Sequence, residues 1–233
     1  MKHGLILLVL LTLSVYSSDK QARDHYLNKN YSDASTLYQE LVVRTPHNFS
    51  YLYNYASSLY RLEDPVQAKL YYLKALKVRP NDSDTKFNIS LINKQVIDQQ
   101  FLFQGHWVHV AGVSVYSILI AMIIGSAFVL MGVIAIRRRQ HAEVAKRFSV
   151  IFLFIWLMLV GVSVSAWVLT PSYGVVMSEK VQVFSGPSKT QIPLFYAHEG
   201  AEFKVIETTE FWVNVQFPNG LKGWLLKDMM AHI

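Results

Sequence analysis

The chain has 233 residues, of which 52% are hydrophobic and 16% charged, with no cysteine and a formal net charge of +6. The missing cysteines exclude disulfides, thiolate nucleophiles and cysteine-ligated metals. Most of the positive excess sits in one short loop, where Arg137, Arg138, Arg139, Lys146 and Arg147 face Glu143 alone. A charge so localised is a topology signal and argues against a nucleic-acid partner.

In chain order, the N-terminus reads MKHGLILLVLLTLSVYSS. Lys2 opens a charged region, Leu5 to Val15 form an apolar stretch, and Val15 and Ser17 suit a cleavage site. Residues 1–17 are therefore expected to be a secretory signal peptide.

Residues 18–100 repeat themselves. Ala34, Tyr38 and Pro46 recur 34 positions later as Ala68, Tyr72 and Pro80, and Asn54 recurs as Asn88, which is the tetratricopeptide period. The pattern has a physical basis: Ala where two helices cross closely, Tyr filling the space between them, and Pro ending the second helix. Residues 49–82 make one whole repeat, 18–48 a second, and 83–97 a helix that can cap the stack. The first helix of each hairpin lines a concave face, and Tyr53, Ser57, Tyr60 and Arg61 fall there. Tyr26 and Phe87 are their counterparts in the neighbouring repeats. These residues form either an aromatic groove for a peptide or partner helix, or the packing between repeats.

Two uncharged runs follow, Val110 to Ile136 and Phe148 to Thr170. A helix needs roughly 20 apolar residues to cross a bilayer, so transmembrane helices are expected at 108–136 and 148–170, in contact with membrane lipid. The basic loop 137–147 between them is expected to be cytoplasmic. That places both flanking domains outside, at a bacterial inner membrane crossed twice. Ala121/Gly125 and Gly161/Ser165 are small residues four apart that would let the two helices approach.

After Pro171 the period changes to two. Phe211, Val213, Val215 and Phe217 alternate with Trp212, Asn214 and Gln216, then Pro218-Asn219-Gly220 supplies a hairpin turn. With further strands at Val175–Met177, Val181–Phe184, Glu202–Ile206 and Leu221–Leu226, residues 173–233 are expected to form a small closed all-β barrel of five or six strands. Trp224, after Gly223, is expected in its core. Trp212 lies on the polar side of its strand, as a ligand platform or as barrel-end packing.

The stretches VQVFSGPS, LFYAHEG, FWVNVQFPNG and LKGWL resemble the bacterial SH3-like domain, a family that often contacts cell-wall peptides or proteins. The whole order of segments, with KFNISLINKQV and HEGAEFKVIETTEFWVNVQFPNGLKGWL, resembles the BatE-type membrane proteins of aerotolerance operons. That resemblance implies protein partners: von Willebrand A-domain membrane proteins and a MoxR-type ATPase complex. No GxSxG, HExxH or P-loop motif is present, so the expected function is a non-enzymatic membrane-anchored scaffold with no cofactor and no metal. The alternative is an envelope sensor or a module binding peptidoglycan peptide. The expected fold class is thus a multidomain membrane protein: tetratricopeptide helices, a two-helix transmembrane hairpin and an SH3-like barrel.

Overall fold

In a computed structural model, residues 17–98, 120, 123–126, 153–154, 156–158 and 171–233 are described. Contacts divide the chain into two compact units, one comprising Met1–Gln104 with Pro171–Ile233 and the other Gly105–Thr170.

The first unit begins with helix α1 over 17–27, followed by α2 (Tyr31–Arg44), α3 (Phe49–Arg61), α4 (Pro65–Val78) and α5 (Ser83–Asn93). Helices α3, α4 and α5 start where the sequence offers an acceptor to the free N–H groups. The Asn48 side chain accepts from the Tyr51 N–H, Asp64 from the Gln67 N–H just ahead of Pro65, and Asp82 from the Thr85 N–H and hydroxyl. Ala34 and Ala68 are fully buried, and Tyr38 and Tyr72 beside them are 1% and 2% exposed. The hairpin turns repeat as well. Lys29 and Glu63 both take φ = 63°, a left-handed conformation costing a residue with a Cβ about 1–2 kcal/mol, so packing of the helices imposes it on both.

Strands β1 (Tyr173–Val176), β2 (Lys180–Phe184), β3 (Pro193–His198), β4 (Glu202–Thr208), β5 (Trp212–Gln216), β6 (Lys222–Leu226) and β7 (Met230–His232) form one sheet. Its pairing is antiparallel, in the order β3-β2-β6-β5-β4-β1-β7. Val181, Val183, Phe203, Val213, Val215 and Leu225 supply the buried face. The hydrogen-bonded order does not return on itself, so a closed barrel of five or six strands gives way to a seven-stranded sheet with β3 and β7 as its edges. Each of these edges buries a single residue, Ala197 in β3 and Met230 in β7. Gly223 is required where β6 crosses β2: a Cβ there would lie 2.6 Å from Val183 Cγ1 and 2.8 Å from the Phe184 carbonyl oxygen. That alternation turns Trp224 outward, half-exposed, and gives the core place to Leu225. Trp224 is therefore not a core residue.

The transmembrane hairpin is overturned. Among the described residues no helix is long and apolar enough to cross a membrane. An uncharged run registers apolar content, whereas a span also needs about 20 such residues in one continuous helix. The fold class is corrected to a mixed helix-and-sheet architecture, and the assignment to a twice-crossed inner membrane falls with the hairpin. The basic loop 137–147, residues 1–16 of the leader, and Ala121, Gly161 and Ser165 lie outside the described residues. Gly125 is described, and a Cβ on it would collide with the Trp156 indole, so helical residues 123–126 and 156–158 approach closely there.

Candidate functional site

The helices bring several of the expected groove residues together. Tyr26 of α1 is half-buried and meets Tyr31 edge-on at 5.3 Å between ring centres. Its hydroxyl lies beside the exposed Arg61 of α3, favouring the charged guanidinium and pushing its pKa up. Tyr53 contacts Tyr72 at 5.5 Å and Phe49 at 5.9 Å, and its hydroxyl accepts from the Asn88 amide at 3.1 Å. Ser57 Oγ donates to the Tyr53 carbonyl and lies 2.9 Å from the Tyr72 hydroxyl. Tyr53 and Ser57 are thus held by their neighbours. Tyr60 is half-buried against the helical core, and Phe87 on α5 is 62% exposed. The accessible part of this face consists of Tyr26, Tyr60, Arg61 and Phe87, on a framework that the Tyr53 and Ser57 bonds stiffen.

The outer face of the sheet is a second aromatic surface. Register pairs Phe184 with Trp224 and Trp224 with Asn214, so these side chains share one face with Trp212. Phe184 and Trp212 meet edge-to-face at 5.6 Å and 89°, a geometry worth roughly 0.5–1.5 kcal/mol beyond its area. Trp212 is half-exposed on this face, with Tyr196 of β3 farther along at 50% exposure and Lys180 Nζ 4.2 Å over its ring.

The junction between helices and sheet holds residues that sequence reasoning missed. Lys69 of α4 is fully buried, and its ammonium donates to the Gly200 carbonyl at 2.7 Å. It also lies 2.8 Å from Glu202 Oε1, which makes the two a buried ion pair. Burial pushes the Lys69 ammonium down and the Glu202 carboxyl up, and each charge opposes the shift of the other. Gly200 must be glycine: its φ is +75° and a Cβ would lie 2.9 Å from Val96 Cγ2. Two further ties join the halves. Lys77 Nζ donates to the Ile233 carbonyl at 2.8 Å, and Asp98 accepts from the His198 N–H at 2.6 Å while facing its imidazole at 3.3 Å. Val175 of β1 lies in the same buried cluster as Leu73 and Leu76 of α4, so the two halves share a core.

A signal for this junction is present within α4. Val66, Ala68, Lys69, Leu70, Tyr72, Leu73, Ala75 and Leu76 are all buried, on nearly every side of the helix, as expected of a helix covered on more than one face. Nothing local pairs Lys69 with Glu202. Among the described residues no group of His, Cys, Asp or Glu side chains could hold a metal ion. Compared with protein-family models and with curated proteins, the chain matches none.

Proposed function

We propose that this protein is a non-enzymatic scaffold that binds protein partners through its helical repeats. The supporting observation is the face carrying Tyr26, Tyr60, Arg61 and Phe87, in which accessible aromatic rings and a guanidinium stand on helices locked by hydrogen bonds. Aromatic and arginine side chains dominate binding hot spots, and a pre-ordered surface loses little entropy on binding. The partners are those implied by the resemblance, von Willebrand A-domain proteins and a MoxR-type ATPase complex. In the test, Tyr60→Ala with Arg61→Ala removes such a partner from the purified complex, since one hot-spot truncation costs about 2 kcal/mol or more. Unaltered recovery from a folded double variant would assign this face to packing.

The outer sheet face favours a second reading, a module that binds cell-wall peptide. Phe184, Trp212 and Trp224 together offer a larger aromatic platform than Trp212 alone. Trp212→Ala in the full chain should then lower retention on purified peptidoglycan and leave the helical partner bound. Equal retention would reject this reading.

A further inference from the structure

Between the helices and the sheet lies a cleft of about 480 Å³ whose two walls differ in chemistry. The helical wall is largely apolar, with Val66 at the start of α4, Ile92 on α5, and Val96 and Ile97 just beyond it, and Gln95 is its one polar side chain. The sheet wall presents Glu179, Lys180, His198 and Glu199. The Glu199 N–H donates to the Glu179 carbonyl at 3.3 Å, which sets the two glutamates on adjoining backbone at the same end of the β2–β3 hairpin. Both are exposed, and among the described residues neither carboxylate takes part in an ion pair. Lys180 lines the same cleft, with its Nζ over the Tyr196 ring, and the His198 imidazole faces Asp98. The cleft thus combines a largely apolar wall with two carboxylates against one ammonium, a net negative balance.

We infer that this cleft binds a small organic cation, an ammonium or guanidinium group carried on an apolar body. Its volume falls in the range of small-molecule sites, roughly 300–1,000 Å³. The apolar wall receives the body of the ligand, and Glu179 and Glu199 attract its charge. Neither glutamate belongs to the groove or to the aromatic sheet face, so the inference stands apart from both readings above.

The probe is phenethylammonium, with 3-phenylpropanoate as an anion of similar shape, titrated into the full-length protein carrying ¹³C-labelled Ile and Val methyl groups. Phenethylammonium should shift the Val66, Ile92, Val96 and Ile97 methyl signals saturably at low salt, while 3-phenylpropanoate leaves them in place. Glu179→Gln with Glu199→Gln should weaken binding about two- to thirtyfold, the equivalent of two partly screened charge contacts. Both side chains are exposed, and an unchanged melting temperature would show that the double variant keeps its fold. Three results would overturn the inference: no shift with the cation, equal binding of cation and anion, or full affinity in the double glutamine variant.

Discussion

Helices α2 and α4 occupy the same place in successive repeats and have 14 residues each, yet they meet different surroundings. In α2 only Ala34, Tyr38 and Leu41 are buried, whereas α4 buries residues on nearly every side. Aligned at the repeat period, Ser32, Ser35, Thr36 and Gln39 stand opposite Val66, Lys69, Leu70 and Leu73. Those four α4 positions, extended by Lys77, follow the spacing of a single helical stripe. Along it Lys69 reaches Gly200 and Glu202, Lys77 reaches Ile233, and Leu73 lies in the cluster that contains Val175. What the repeat conserves is the helix–helix packing; what it varies is the face that receives the sheet. The repeated helix became a docking surface by exchanging four polar side chains for three apolar ones and a lysine.

The largest effect should come from breaking the charge pair on that stripe. Lys69→Ala leaves the Glu202 carboxylate buried without its counter-charge, and removing one partner of a buried pair costs roughly 3–5 kcal/mol. Replacing both, as Lys69→Met with Glu202→Leu, should restore most of the loss or exceed the parent, because neither charge then needs desolvating. Denaturant melts of the three variants measure this, and a double variant as unstable as Lys69→Ala would show that the pair supplies more than mutual neutralisation. Next in size, Leu73→Ala should cost about 2–5 kcal/mol as a buried truncation. Its counterpart Gln39→Ala on the exposed face of α2 should stay within about 0.5 kcal/mol. Equal effects at the two positions would erase the distinction between the helices.

Alkaline pH should also separate the halves. Burial raises the Tyr38 and Tyr55 hydroxyls to about 12. A raised folded pKa gives stability that is fully present below the unfolded value near 10, and that declines as pH rises through 12 because the unfolded chain releases these protons first. Each shift corresponds to roughly 2–3 kcal/mol. Far-ultraviolet dichroism should therefore lose its helical signal between about pH 10 and 12, with Tyr38→Phe shifting the loss upward. A helical signal unchanged to pH 12 would contradict the burial of these hydroxyls.

The parts of the fold that follow from nearest neighbours were legible in the sequence. The repeat period marks the buried Ala34, Tyr38, Ala68 and Tyr72, and strict alternation marks Val213 and Val215. β3 and β7 left little trace, since edge strands with few buried positions show no period. Trp224 misled because its size suggests core, while Gly223 fixes the opposite face. The expected hairpin rested on apolar content alone, and among the described residues no helix is long and apolar enough to cross a membrane. Of the candidate site, Tyr26 and Arg61 come together as their repeat positions suggest. The junction pairs Lys69 with Glu202 and Asp98 with His198 from distant segments, and only the asymmetry between α2 and α4 foreshadows it.

The smallest effect should come from the contact between Asp98 and His198 across the junction. Asp98 and His198 lie 3.3 Å apart, but their side chains are 26% and 29% exposed, against 3% or less for the buried pair. Water screens such a pair, so its charge contributes only about 0–1 kcal/mol. Asp98→Asn retains a carbonyl oxygen that can accept from the His198 N–H, now bonded at 2.6 Å, and removes the charge alone. The variant should lose no more than about 1 kcal/mol in low salt and become indistinguishable from the parent near 1 M salt, where the Debye length falls to roughly 3 Å. A loss as large as that of Lys69→Ala, persisting in high salt, would mean that the exposed pair behaves as a buried one and that burial is not what distinguishes the two ties.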